Sequence, residues 1–181
     1  ILNLCYNYSN RKFKYGTKLY GGIIMKISTK GRYALRMLCD LALHYEDGFI
    51  SLKDIAERQS ISKKYLEQIV PLMNKADFQN KRGNKGGYML ANKPDEITVG
   101  DVLRATEGSL APVACLEPPV NECPRSAECA TLYVWEGLYK HVTDYLDSIT
   151  IQDIINMAHR STETTTAYKK RFSQKAPTAS K

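Results

Sequence analysis

Apolar residues recur at three- and four-residue spacing between positions 28 and 46, where Ala34, Leu35, Leu38, Leu41, Ala42 and Tyr45 mark one face of a helix. Ser28 or Thr29 supplies its cap, and Gly48 stands beyond its end. Ser51-Leu52-Lys53-Asp54 has the form of a capping box, whose serine oxygen and aspartate carboxylate satisfy free amides of a first helical turn. It opens a short second helix with Ile55 and Ala56 inward, ending near Gln59. Ser62 caps a third helix that runs to about Ala76, and Ile61 is placed to staple against Leu66. Pro71 falls inside that helix and removes a backbone donor, so a kink, or a helix well formed only through Val70, is expected. Three helices with so tight a second turn predict a helix-turn-helix.

Phe78 to Arg82 and Tyr88 to Ala91 read as two short strands around the turn Gly83-Asn84-Lys85-Gly86-Gly87. This is a wing, with Lys81, Arg82 and Lys85 at or beside its tip, where glycines let backbone approach phosphates or a minor groove. Thr98-Val99-Gly100-Asp101 is another capping box, opening a helix with Val102, Leu103 and Ala105 that ends at Gly108. Residues 109–130 hold four prolines and three cysteines without periodicity, and so form a loop organised by something other than an apolar face. From about Ala130 a long helix resumes. Trp135, Leu138, Val142, Tyr145 and Ile149 follow one another at spacings of three and four, the seam of a coiled-coil-like contact with a partner. Thr150 to Asp153 caps a last short helix with Ile154, Ile155 and Ala158, and after Ser161 the Thr-, Ser- and Lys-rich chain is expected to be disordered.

The predicted fold is mostly α with a small β-wing. A winged helix-turn-helix spans 25–108, a cysteine-containing sensor loop 109–130, a dimerisation helix with a short following helix 131–160, and a disordered tail 161–181. Residues 1–24 carry four basic and no acidic side chains, lack periodicity, and end in Gly21-Gly22-Ile23-Ile24 before Met25. They are expected outside the fold, as a disordered basic arm or as a non-native leader whose Gly-Gly codons are a ribosome-binding site read as protein.

At 181 residues and 43% hydrophobic, the chain suits one compact domain with an appendage. No run approaches the roughly 18 apolar residues that span a bilayer, and no signal-peptide pattern occurs, so a cytoplasmic location is expected. The formal net charge of +7 divides into +4 over residues 1–24, +6 over 25–94, −7 over 95–160 and +4 over 161–181. A basic front half followed by an acidic back half is the asymmetry expected when one part faces phosphates.

Five cysteines without a secretion signal favour metal, redox or core roles over a disulfide framework. Cys115, Cys123 and Cys129 form Cys-x7-Cys-x5-Cys, and three thiolates converging in a loop suit an iron–sulfur cluster or zinc. Bare thiols that sense oxidants by forming a disulfide are the alternative. Cys39, among Leu38, Leu41 and Ala42, reads as core, and Cys5 belongs to the leader. No nucleophile–base pair, phosphate loop or paired-carboxylate site is present, and Gly86-Gly87 is too short for a nucleotide loop, so an enzyme is not expected.

The run Met25-Lys26-Ile27-Ser28-Thr29-Lys30-Gly31-Arg32-Tyr33-Ala34, Tyr65-Leu66-Glu67-Gln68, Arg82-Gly83 followed by Gly86-Gly87-Tyr88, and Thr98-Val99-Gly100-Asp101 resemble one bacterial family. It is the winged-helix transcriptional regulator family that includes the iron–sulfur cluster regulator IscR and the cysteine metabolism repressor CymR. The similarity extends from Met25 to about Asn156. It implies a homodimer whose long helices cross and whose two heads bind a pseudo-palindromic operator on double-stranded DNA, usually as a repressor. By that pattern Ser62, Lys63, Lys64, Tyr65 and Gln68 lie at the major groove and Arg82 with Lys85 at the minor groove, and Lys26, Ser28, Arg32 and Glu67 are further DNA-binding residues. Side-chain chemistry agrees in part: Gln matches adenine, Lys and Ser suit phosphates, and Glu67 accepts from cytosine or excludes wrong bases.

The resemblance also implies an iron–sulfur cluster, of 2Fe-2S type, on Cys115, Cys123 and Cys129. Two departures stand out. The first cysteine gap is seven residues rather than five, and Leu132 occupies the position of the usual fourth ligand, a histidine. A fourth ligand is then sought among His44 or Asp40 from a partner's first helix, Glu128, His141 or a small thiol. Target genes of iron–sulfur assembly, sulfur amino-acid supply or redox stress follow from the same resemblance, as does an alternative role acting through a sulfur-metabolism enzyme partner. Asp77 stands where the family places glycine, in a left-handed position that aspartate tolerates.

Overall fold

A computed structural model describes residues 27–81 and 86–160. Helix α1 spans Thr29–Leu43, and its first free amides, of Lys30 and Gly31, donate to Ser28 Oγ at 3.1 and 3.3 Å. It ends three residues earlier than its periodicity suggests, because His44 leaves helical geometry, a 3-10 turn (Tyr45–Asp47) follows, and Gly48 takes a positive φ of 77°. Helix α2 spans Leu52–Gln59, capped by Ser51, and closes on Ser60 in the left-handed region at φ 51°.

Helix α3 spans Lys63–Lys75 under a Ser62 cap. It runs through Pro71 instead of stopping at Val70. Pro71 and Glu67 share the exposed face, so the Glu67 carbonyl that Pro71 has no amide to satisfy lies toward water. Asp77 closes the helix with φ 54°, and the Phe78 amide turns back to Met73 O at 3.0 Å, the expected left-handed exit.

Strands β1 (Gln79–Lys81) and β2 (Tyr88–Leu90) pair antiparallel, Gln79 opposite Leu90 and Lys81 opposite Tyr88. Ile50 adds a third edge: its amide donates to Tyr88 O at 2.9 Å and the Tyr88 amide to Ile50 O at 2.7 Å. Helix α4 spans Val99–Glu107, α5 spans Leu132–Asp147, and residues 151–160 form α6. Between α4 and α5 the chain makes two isolated 3-10 turns, Ala114–Leu116 and Ser126–Glu128.

Helix α1 lies at the centre, packed on α2, α3 and α4, and Met37, Leu38, Leu41, Ile55, Leu66, Ile69 and Met73 are fully buried there. The sequence groups residues 151–160 with the dimerisation helix, yet Ile151 and Ile155 belong to this same core. A second cluster of Val99, Leu103 and Leu110 receives Tyr139 and Leu146 from α5, and Ile149. The two halves are stitched by backbone: Val99 N donates to Ile149 O at 2.8 Å and Ile151 N to Ile97 O at 2.9 Å.

Candidate nucleic-acid interface

Helix α3 buries Leu66, Ile69, Val70 and Met73, which leaves Ser62, Lys63, Lys64, Glu67 and Gln68 exposed together. Lys63 Nζ and Glu67 Oε1 pair across one turn at 3.6 Å, an exposed pair worth little by itself. The Ser62 hydroxyl is engaged as the cap, accepting from Tyr65 N at 3.2 Å. Tyr65 is only half exposed: its ring meets Tyr33 edge-on at 5.1 Å, so one side of it belongs to the protein.

Ser28 is also committed internally. Besides capping α1 it donates through its hydroxyl to Glu107 Oε1 at 2.8 Å and through its amide to the same atom at 3.2 Å, which places a carboxylate at the helix start. Arg32 is exposed and turned back to Thr29 Oγ1 at 3.1 Å. Lys26, Arg82 and Lys85 lie outside the described residues, as do Cys5 and the leader. The base of the wing is described. A Cβ on Gly87 would fall on the backbone N, C and O atoms of Ile50, so this glycine serves the join between wing and body.

Behind the turn between α2 and α3 stands a polar network that helical periodicity does not announce. Asp40, 2% exposed, accepts from Arg58 Nε at 3.0 Å, from Arg58 Nη2 at 2.6 Å and from Gln59 Nε2 at 3.0 Å. Such a buried carboxylate persists only when paired and hydrogen-bonded. Hydrogen bonds to Asp40 in turn hold the Arg58 guanidinium above its ordinary value. Gln59 Oε1 accepts from Arg36 Nε at 3.3 Å, Arg36 Nη2 also reaches the Gln59 carbonyl, and the Arg36 guanidinium lies over the Tyr33 ring at 5.5 Å. A charged residue on the apolar face of α1 was the sequence signal for this network: Asp40 sits beside Leu41 and one turn from Met37, and demanded a partner.

The cysteine loop departs from expectation. Cys115, Cys123 and Cys129 are free and half-buried, each in its own local turn, as Leu116 N to Val113 O, Ser126 N to Cys123 O and Leu132 N to Cys129 O show. Among the described residues no three His, Cys, Asp or Glu side chains are gathered to hold a metal ion. The donor set does not fit a cluster in this arrangement. Of the suggested fourth ligands, Asp40 is spent on Arg58, whereas His44 Nδ1 at 2.6 Å from Asp47 Oδ2 and His141 Nδ1 at 2.7 Å from Gly137 O have the kind of contact that orients an imidazole for ligation through Nε2, and Glu128 is exposed. Hydrogen bonding to the Thr131 side chain holds the Cys129 thiol below its ordinary value. Burial, with Asp40 beside it, pushes the Cys39 thiol up to about 12, as suits a core cysteine.

Helix α5 has no buried residue, and its apolar side chains divide between two faces. Tyr139 and Leu146 pack on the α4 cluster, whereas Tyr133, Val134, Trp135, Leu138 and Tyr145 are exposed, at 83% for Tyr133 and 65% for Tyr145. Val142 is intermediate. Ile149 corrects the predicted seam: it lies beyond the end of α5 and packs inside its own chain. No helix among the described residues is long and apolar enough to cross a membrane.

Known proteins resemble this chain in sequence and fold. CymR of Bacillus subtilis strain 168, an HTH-type transcriptional regulator, is 43% identical over 131 residues, covering 72% of this chain and 89% of the relative. The solved structure of that global cysteine regulator superposes with a TM-score of 0.60 at 36% identity, over 73% of this chain and 97% of its own. A solved IscR of T. potens gives 0.59 at 39% identity, over 75% and 90%. Protein rrf2 of Nitratidesulfovibrio vulgaris strain Hildenborough is 42% identical over 135 residues, 74% of this chain and 89% of the relative. The family model for Rrf2, described as an iron-dependent transcriptional regulator, matches residues 27–157, and the chain accordingly belongs to the Rrf2 family of DNA-binding transcriptional regulators.

Proposed function

We propose that this regulator is a cytoplasmic homodimer that reads a pseudo-palindromic operator with α3 and the wing, represses genes of iron–sulfur, sulfur amino-acid or redox-stress metabolism, and receives its signal at the cysteine loop. The observation that carries the reading is the division of α3. Its apolar side is locked into the core while Lys63, Lys64, Glu67 and Gln68 face outward together, next to the wing base. Lysines there suit phosphates, Gln68 offers a donor and acceptor that match adenine, and Glu67 selects against bases that cannot donate to it. The exposed aromatic face of α5 supports pairing with a second copy, because an apolar stripe of that kind is unusual on a monomer surface.

DNA retention measured against salt tests the reading. Affinity should fall steeply with ionic strength, and Lys63→Ala with Lys64→Ala should flatten that dependence by about one unit for each phosphate no longer neutralised. A protein that protects no sequence upstream of its own operon counts against it.

For the signal, oxidation of the free thiols to a disulfide is a second reading beside an iron–sulfur cluster, and either requires the loop to bring its cysteines together. Iron, acid-labile sulfide and zinc assays on anaerobically purified protein decide between them. Matched iron and sulfide, lost in Cys115→Ala, Cys123→Ala and Cys129→Ala, establish the cluster, and metal-free protein moves the signal to thiol oxidation or to a protein partner.

A further inference from the structure

The surface that would touch DNA rests on side chains that do not touch it. Tyr65, on the first turn of α3, is braced edge-on by Tyr33 of α1, with ring centroids 5.1 Å apart and planes at 75°. Tyr33 is covered in turn by the Arg36 guanidinium. Arg36 is held at the α2 end of the turn by both the side-chain oxygen and the backbone carbonyl of Gln59. The Gln59 amide is anchored on Asp40, whose second oxygen is occupied by Arg58. A chain of contacts thus leads from a buried carboxylate in α1, through the last residue of α2, back to α1 and on to α3. It spans Ser60, whose left-handed conformation sets the bend between α2 and α3.

We propose that Asp40, Gln59, Arg36 and Tyr33 form a positioning relay that fixes the orientation of Tyr65 and the first turn of α3, and so determines operator specificity without contacting DNA. This rests on α3 being the reading helix. The logic is geometric. Packing of Leu66, Ile69 and Met73 sets the depth of α3 and the face it buries. Hydrogen bonds and an edge-on ring pair add direction at its first turn, and refine the angle at which Lys64 and Gln68 are presented. Phosphate contacts by flexible lysines survive a small rotation, whereas base-edge contacts do not.

The test uses the full chain and a duplex enriched by the wild-type protein from a random pool, compared with a scrambled duplex of the same length. Gln59→Met and Arg36→Met remove the relay at half-exposed positions, and Asp40→Asn is the riskier variant because its partner Arg58 then loses a buried counter-charge. Folding is followed by circular dichroism and thermal midpoint. The expected result for Gln59→Met and Arg36→Met is a folded protein whose affinity for the scrambled duplex is unchanged while affinity for the selected duplex falls about tenfold, the equivalent of roughly one good base pairing by a side chain. Tyr33→Phe should retain the wild-type ratio because it keeps the ring, and Tyr33→Leu should lose it.

An unchanged ratio in Gln59→Met and Arg36→Met overturns the relay while leaving DNA reading by α3 intact. Parallel losses on both duplexes, tracking the thermal midpoint, also overturn it, since they mark a purely structural role. Failure of wild-type protein to enrich any duplex removes the DNA reading itself and the relay with it.

Discussion

Gly87→Ala should unseat the wing. The added Cβ would overlap the backbone N, C and O of Ile50, and a backbone cannot move aside as a side-chain tip can. Relief requires β2 to withdraw from Ile50, which breaks the reciprocal hydrogen bonds between Ile50 and Tyr88 at 2.9 and 2.7 Å. Two such bonds contribute about 2 kcal/mol together. Ile50 and Leu90, at 8% and 2% exposure, would be partly uncovered by the same movement, adding on the order of 1 kcal/mol. A loss of about 3 kcal/mol corresponds to a fall in thermal midpoint of roughly 10 °C for a body of this size. Differential scanning calorimetry reads it directly, and DNA binding should weaken with it, because in sequence Arg82 and Lys85 lie in the segment that joins β1 to β2. Gly137→Ala is the control: a Cβ there meets nothing within 4 Å, so it should not lower the midpoint. A Gly87→Ala protein that melts within about 2 °C of wild type would refute the close-approach reasoning.

Three further outcomes are expected. Leu138→Glu combined with Tyr145→Glu alters side chains that are 42% and 65% exposed, so light scattering should find a folded monomer, against the dimer proposed for wild type; a variant that remains dimeric removes α5 from the interface. Asp77→Gly relieves a left-handed φ of 54° and should stabilise by about 1 kcal/mol in chemical denaturation, an unchanged or lowered midpoint being the contrary result. Cys39, with its thiol pushed up to about 12 from the ordinary 9.0, should alkylate about a thousandfold more slowly at pH 8 than an unperturbed thiol, mapped by peptide mass. The sign for stability follows: a raised folded value gives a contribution complete below the unfolded value and lost as pH rises toward the folded one, so stability should decline above about pH 9. Labelling of Cys39 as fast as Cys115 contradicts the burial.

What the sequence reveals here is what local chemistry dictates. Ser51, Ser62, Thr98 and Thr150 were legible as caps because a cap depends on its own first turn, and each accepts the amide three residues on. The left-handed site at Asp77 was legible through the resemblance, which places glycine there, and its φ of 54° agrees. Long-range pairing was not. Nothing near Ser28 in sequence announces Glu107, seventy-nine residues away, which takes its hydroxyl. Ile149 continues the spacing of the α5 seam, and periodicity cannot reveal that the helix has already ended at Asp147. The cysteine spacing likewise carries ligand chemistry without carrying convergence, because short loops define turns and only a ligand gathers them.

How a signal at the cysteine loop would reach DNA is constrained by the two ends of α5. Its C-terminal end is fixed to the body: Arg104 bridges Asp101 at 2.8 Å and Asp147 at 2.7 Å. The antiparallel bridge of Thr98 with Thr150 follows at once, with Val99 N donating to Ile149 O. Burial pushes the Asp101 carboxyl up, but hydrogen bonds from Thr98 and Arg104 outweigh it and hold it low, so the clasp keeps its charge at neutral pH. Gly100 leaves room for Asp147, where a Cβ would collide with the carboxylate. At its N-terminal end α5 begins at Leu132, three residues after Cys129, and no side chain caps it among the described residues. A change in the loop would therefore meet α5 first at its uncapped end. In a dimer paired through the exposed α5 face, tilting that helix changes the angle between the two heads while leaving α3 seated in its own core. On the proposed reading, then, the signal alters operator spacing between heads, and the relay behind α3 keeps each head's base reading constant.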